Sequence, residues 1–284
     1  MESFMRSIFF LTLAACGGGP GGAGPNLLQN KGSDTMVNLM QRMSEAYTAS
    51  HPDTVIAVTG GGSGTGIKSL IDGTTDLANS SRKMKEEEIA LAKKNGKDPV
   101  ETVIAFDGLA IYVNTANPVA TLSFENLRCI FGADGACKKW SDLGVTLDCG
   151  GTDDIVKVGR QNNSGTYEYF HEEVLGKDGK FTNTMDQSGT QQVVDVVSTS
   201  TCAIGYGGMG YHNDKARFVC LAKTTGEPCV VPSLETVKAH EYPFSRPLQV
   251  YTNGKPTGAS QAFLDWALSE AGQKIVLEAG FVPK

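Results

Sequence analysis

The sequence lacks most of the parts that enzymes and nucleic-acid binders need. Among its 284 residues there are only four histidines (51, 171, 212 and 240) and no C-x-x-C. The histidines form no ligand spacing with the cysteines, so no zinc centre or other metal cofactor is expected. Lysine and arginine number 25 against 31 aspartates and glutamates, a net charge of −6. The basic stripe of a nucleic-acid surface is therefore missing, and no nucleic-acid partner is expected. No apolar run reaches the roughly 20 residues that cross a bilayer as a helix.

Several catalytic patterns fail as well. G-x-S-x-G is broken because Thr65 stands two residues after Ser63. S-x-x-K occurs as "SSRK" (80–83), but no S-D-N or K-T-G accompanies it. A phosphatase needs a metal cluster or an activated nucleophile, and neither is visible. No catalytic residue is assigned. A phosphatase-like enzyme and a purely structural or adhesive lipoprotein stand as competing classes. Hydrolysis of p-nitrophenyl phosphate would favour the first, and absence of anion binding the second.

The N-terminus has the parts of a secretion leader. Arg6 precedes an apolar stretch from Ile8 to Ala15, and Leu13-Ala14-Ala15-Cys16 follows the pattern of a bacterial lipoprotein box. Residues 1–15 are expected to be a signal peptide, and Cys16 the lipidated first residue. An ordinary signal peptide with an incidental Cys16 is the alternative. "GGGPGGAGPN" (17–26) follows as a flexible tether, which places the tether at 16–26. Export accords with the other six cysteines, at 129, 137, 149, 202, 220 and 229. An even number in an exported chain predicts disulfides. Loop closure favours the near neighbours, Cys129–Cys137 and Cys220–Cys229, and leaves Cys149–Cys202.

Downstream, strand patterns alternate with helix patterns, so the class is α/β. Val37, Met40, Met43, Ala46 and Tyr47 repeat at helical spacing, with Asp34 or Thr35 as cap. "TVIAVTG" reads as a buried strand. "TVIAFDGLAIYVN" and "YPFSRPLQVYTNG" are long extended runs that suggest two strands crossing between two lobes. His171 reads as a packed surface histidine.

Three segments share one design: "GSDTM" (32–36), "GGGSGTG" (60–66) and "RQNNSGT" (160–166). Each opens a helix and offers hydroxyls and free backbone N–H groups, which favour an anion. The second is not a nucleotide loop. Ile67 separates Gly66 from Lys68 and turns the lysine by about 100° on the following helix. Together the three suggest helix starts converging on one tetrahedral oxyanion. Arg160 supplies a planar fork for two oxygens. Arg82 is either a second cation or a solvent-facing residue.

"GSDTM", "GGGSGTGIKSL" with "TTDLANSSR", Arg160-x-x-x-Ser164-Gly165-Thr166, "AIGYGGMGY" and "YPFSRPLQVYTNGKP" occur in one order and spacing. Over residues 30–284 the chain resembles the phosphate-binding proteins of bacterial ABC phosphate importers, the PstS type. The resemblance implies a two-lobed type II periplasmic-binding-protein clamp with two crossing hinge strands. Lobe I would be 27–106 with 247–284, and lobe II 107–246. It also implies a cleft that binds inorganic phosphate for membrane permease subunits outside the cytoplasmic membrane. Sulfate or arsenate is the alternative ligand. Carried over by position, the phosphate contacts would be Ser33, Thr35, the Met36 N–H, Ser63, Ser81, Arg82, Arg160, Ser164, Gly165 and Thr166. Family members carry an aspartate where this chain has Ser81. That aspartate accepts the proton of HPO₄²⁻ and repels fully ionised anions. A serine accepts the proton but repels sulfate less, and Asp34 and Asp107 are candidate substitutes.

Lipidation of Cys16 would anchor the protein in the cell envelope by two or more chains, since one chain binds only marginally. Mass spectrometry of native protein is expected to find a diacylglyceryl adduct on Cys16. A mature form starting elsewhere without lipid contradicts the expectation.

Overall fold

A computed structural model describes residues 26–211 and 213–284. The leader, Cys16 and the tether up to residue 25 lie outside the described residues.

Three strand–helix units begin the chain. β1 (Asn26–Gly32) leads to α1 (Val37–Ser50), β2 (Thr54–Thr59) to α2 (Ser63–Asp72), and β3 (Leu77–Ser80) to α3 (Glu86–Lys94). β1 pairs in parallel with both β2 and β3, the geometry that helical crossovers impose. Residues 26–32 have no β-branched side chain and carry no strand signal in the sequence. Their strand character comes from pairing on both edges. Asn26, expected in the tether, is the first residue of β1. β2 is an edge strand with only Thr54 and Ile56 buried, so the expectation of a buried strand there is corrected. α1 packs Leu39, Met40, Met43 and Tyr47 inward, which is the face its periodicity predicts.

The 16-residue β4 (Pro99–Asn114) joins the two halves of the sheet. The next elements are β5 (Thr121–Ser123), α4 (Phe124–Phe131), β6 (Val156–Arg160), α5 (Gly165–Phe170) and β7 (Met185–Gln187). Then come α6 (Thr190–Thr199), β8 (Ala203–Gly208), β9 (Ala216–Phe218), β10 (Cys220–Ala222), α7 (Leu234–Lys238) and β11 (Ser245–Asn253). The chain ends with α8 (Gly258–Ala267), α9 (Glu270–Glu278) and β12 (Val282–Pro283). The main sheet runs β2-β1-β3-β11-β4-β8-β6-β7, with β9 and β12 also on β4. β4 pairs with β11 through Gly108 and with β8 from Leu109 onward. At that changeover Asp107 stands opposite Arg246. This is the α/β clamp architecture, with its second half built on β6 and β8.

The core beneath the second half is aromatic. Phe170 stacks on Tyr206 and meets Phe131 edge-on, and Phe244 lies 5.9 Å from Phe170 between ring centres. Each such side chain contributes about 1.5–3 kcal/mol by burial. His171 is packed as expected: its Nε2 lies 2.7 Å from the Gly179 carbonyl oxygen.

Cys129 bonds Cys137, Cys149 bonds Cys202 and Cys220 bonds Cys229. The two short bridges are the pairs that loop closure favours, and Cys149–Cys202 is the pair that remains. The second spans 53 residues and the others eight and nine. Chain entropy therefore makes the long bridge the most stabilising. Replacing Cys149 and Cys202 together by serine is expected to cost roughly 1–2 kcal/mol more than replacing Cys129 and Cys137. Urea unfolding of both variants measures this, and equal losses contradict it.

Candidate anion-binding site

Four loops meet where the two halves of the sheet face each other. The first leaves β1 at Gly32, whose φ of 144° suits glycine and whose missing Cβ would lie inside contact distance of the Asn79 carbonyl oxygen. That close approach lets the Ser33 N–H reach Asn79 O at 3.0 Å. Ser33 Oγ in turn donates to Ser81 Oγ at 3.0 Å. Ser81 follows β3, and its N–H donates to Ser63 Oγ at 3.1 Å. Ser63 is the first residue of α2, and its Oγ lies 3.4 Å from Ser81 Oγ. Three serines thus form one buried cluster.

The fourth loop, 161–166, closes over the cluster from the other half. Gly64 N–H donates to Asn163 O at 3.0 Å, and Asn163 Nδ2 donates to Gly61 O at 2.8 Å. Gly165 sits directly on the serines. A Cβ there would overlap Ser63 Oγ and lie 2.7 Å from Ser81 Oγ and 2.9 Å from Ser63 Cβ. Thr166 Oγ1 meets Thr35 Oγ1 at 3.0 Å. Ser33, Thr35, Ser63, Ser81, Ser164 and Thr166 are all at most 2% exposed. Buried hydroxyls of this number need partners. Here their neighbours are mainly other hydroxyls, backbone N–H groups and Arg246, a donor-rich shell that suits an oxyanion.

Other predicted residues are placed differently. Met36 donates its N–H to Ser33 O at 3.0 Å within the turn. Neither Asp34 nor Thr35 caps α1. Asp34 accepts from Gly61 N–H at 2.8 Å and Thr35 faces Thr166, so both side chains serve cross-loop contacts. Ser164 caps α5 by accepting from the Thr166 N–H at 3.1 Å. Arg82 does not face solvent and does not reach the serines. It is 9% exposed and grips Glu88 with both terminal nitrogens, at 2.8 and 2.7 Å. Burial lowers the Arg82 pKa, but the hydrogen bond and charge of Glu88 outweigh this and leave it raised.

Arg160 is fully buried at the end of β6. Its Nε donates to Gln187 O at 3.3 Å and its Nη2 to Ser188 O at 2.9 Å and Asp34 Oδ2 at 3.3 Å. Nη1 donates to Thr190 Oγ1 at 3.1 Å and keeps one further hydrogen. The two-oxygen fork expected from the sequence is largely occupied by these partners. Burial lowers the Arg160 pKa, and the Asp34 carboxylate opposes it.

The sequence reading missed Arg246. Its Nη2 reaches Thr35 Oγ1 at 3.3 Å and Thr166 Oγ1 at 3.0 Å, and Asp107 Oδ2 at 2.9 Å. A signal existed: one aspartate and one arginine each interrupt a long apolar strand pattern, and charges so buried are almost always paired. Asp107 is not free to replace the family's aspartate. Arg246 takes Oδ2 and the Met209 N–H donates to Oδ1 at 3.2 Å. Burial raises the Asp107 pKa, and Arg246 opposes the rise.

Comparison with known proteins gives the family and the fold. The sequence model of a PBP superfamily domain matches residues 20–271. Phosphate-binding protein PstS of Pseudomonas aeruginosa is 38% identical over 267 residues, covering 90% of this chain and 82% of that protein. The chain belongs to the PstS family of phosphate-binding proteins. Among solved structures, a Clostridium perfringens substrate-binding protein with bound phosphate aligns with a TM-score of 0.80 at 29% identity. The alignment covers 91% of this chain and 100% of that one. An ABC-type phosphate transport receptor from Vibrio cholerae aligns at 0.71 and 27%, again over 91% and 100%. These PstS-type relatives are transport components and not enzymes.

Gly165 tests the packing of the PstS-type cleft. Rotating the serine hydroxyls does not relieve the clash with Ser63 Cβ, so Gly165→Ala is expected to destabilise the protein by about 1–3 kcal/mol. Denaturant unfolding with circular dichroism at zero denaturant checks this. Unchanged stability would show that the two halves do not meet at Gly165.

Proposed function

We propose that this protein binds inorganic phosphate outside the cytoplasmic membrane and delivers it to the permease subunits of an ABC importer. The observation that carries the reading is the shell of buried hydroxyls from both halves of the sheet. Ser33, Thr35, Ser63 and Ser81 come from one side, and Ser164 and Thr166 from the other. A tetrahedral anion with several oxygens suits donors arriving from opposed directions. The bound phosphate in the Clostridium perfringens structure and the transport role of the Vibrio cholerae receptor support the same reading.

The lobes proposed are 27–106 with 247–284, and 107–246. The facing of Asp107 and Arg246 at the changeover of β4 supports that division. Attachment through Cys16 would keep the clamp at the membrane face where a permease opens. An acidic protein binding an anion presents no conflict, because nearby dipoles and arginines set affinity while distant charges are screened.

A second reading, binding of sulfate, gains support from Ser81. Among the described residues, the carboxylates near the site, Asp34 and Asp107, are both tied to arginines and so are not free to repel a fully ionised anion.

Arg160 brings positive charge to the shell although most of its hydrogens are committed. Arg160→Ala is expected to weaken phosphate binding by about 2–5 kcal/mol, roughly 30-fold to several thousand-fold. Arg160→Lys recovers only part, because a point charge replaces the fork. Ser164→Ala costs about 1–3 kcal/mol through loss of one donor and of the α5 cap. Calorimetric titration with phosphate, arsenate and sulfate reads all three variants, with circular dichroism as the folding control. Phosphate affinity of Arg160→Ala within about threefold of wild type, below about 0.7 kcal/mol, removes Arg160 from the site. Wild-type protein that prefers sulfate favours the second reading.

A further inference from the structure

This inference rests on the reading of the cleft as a phosphate site. We propose that Arg246, held by Asp107, is a positioning residue that fixes the Thr35 and Thr166 hydroxyls as donors to bound phosphate.

A threonine hydroxyl has one proton and two acceptor positions. Left to themselves, two hydroxyls 3.0 Å apart, as Thr35 Oγ1 and Thr166 Oγ1 are, bond to each other in either direction. One then donates and the other accepts. An anion beside such a pair meets a donor on one side and a lone pair on the other. A guanidinium has donors and no acceptor. Arg246 Nη2 spends one hydrogen on Asp107 Oδ2, and its other lies between Thr35 Oγ1 at 3.3 Å and Thr166 Oγ1 at 3.0 Å, so the two oxygens share it as acceptors. One lone pair of each oxygen is thereby engaged by a cation and both O–H bonds are polarised, which favours both protons as donors to phosphate once it arrives. One arginine thereby sets the polarity of hydroxyls that belong to opposite halves.

Asp107 fixes the arginine. Its Oδ2 accepts from Arg246 Nε at 3.1 Å and Nη2 at 2.9 Å. The two side chains are 1% and 0% exposed, so neither charge has water as an alternative partner. The Tyr169 ring lies 5.6 Å from the guanidinium carbon, a distance at which ring and cation attract. Cross-strand pairing of β4 with β11 sets the placement of both residues. At the Ser63–Ser81 contact the Ser81 N–H donates to Ser63 Oγ, whereas Ser81 Oγ meets only the rotatable hydroxyls of Ser33 and Ser63. Ser81 Oγ therefore keeps the ability to accept the proton of a monoprotonated phosphate.

The test is a double-mutant cycle read by phosphate calorimetry. Asp107→Asn with Arg246→Gln removes both charges and leaves two amides that can bond each other. This change is made in wild type and in Thr166→Val. In wild type it is expected to weaken phosphate binding about 10- to 100-fold. In Thr166→Val the same change is expected to cost at least about fivefold less, because one hydroxyl it orients is gone. If the amide pair fails to fold by circular dichroism, Arg246→Lys replaces it. The lysine keeps the charge but cannot hold Asp107 and both hydroxyls together, and the same coupling is expected. Losses equal within about twofold in the two backgrounds, in a wild type that binds phosphate, would mean that Arg246 acts independently of the hydroxyls and would overturn the proposal. Wild-type protein that bound no phosphate would remove the phosphate reading and this proposal with it.

Discussion

Six hydroxyls closed between two halves of one sheet have no bulk water to bond, and this constraint organises the cleft. Each buried hydroxyl left unpaired would cost about 1–3 kcal/mol. The protein meets the requirement by making loops from opposite halves serve each other. Ser33, Ser63 and Ser81 join within one half, and Thr35 joins Thr166 across the gap. Glycines are what permit the approach. Gly62, with φ of 89°, would place a Cβ against the Asn163 carbonyl oxygen, and Gly165 would place one on Ser63. The Gly-rich loop is therefore a surface on which a second backbone lies, as well as the turn proposed to face the anion.

The same closure buries charge, and the protein balances it locally. Arg160 faces Asp34 and Arg246 faces Asp107. Removing one partner of such a pair typically costs 3–5 kcal/mol, because the other is left charged and dry. The pairs differ in location. Arg160 with Asp34 links the loop after β1 to the end of β6. Arg246 with Asp107 lies within β11 and β4, where the sheet passes from one half to the other. A pair on the connecting strands lies beside the cleft from both sides, so it is suited to report on both.

The sequence made much of this legible, and the gaps have physical causes. Helix periodicity located α1, because a one-sided apolar face survives in any fold of the segment. The three Gly- and hydroxyl-rich loops were visible because their residue types are costly elsewhere. Chain separation pointed to the two short disulfides, and the third followed as the remaining pair. β1 was hidden, since Leu27, Gln29 and Lys31 have low strand preference and pairing on both edges decides the matter. Arg82 was ambiguous because its partner, Glu88, lies on the next helix in an otherwise solvated charge run. Arg246 is 139 residues from Asp107. Only the register of β4 against β11 brings them together, and no local pattern encodes that register.

The central claim is that one tetrahedral anion lies among hydroxyls supplied by both halves of the sheet. Arsenate is a tetrahedral analogue of phosphate whose arsenic atom is located directly by anomalous diffraction. Crystals grown with arsenate are predicted to show a single strong anomalous peak between Thr35, Ser63 and Ser81 on one side and Gly165 and Thr166 on the other. Its oxygens should lie within hydrogen-bond distance of hydroxyls from both. An arsenic peak outside that cluster, or contacts to one half alone, would contradict the account.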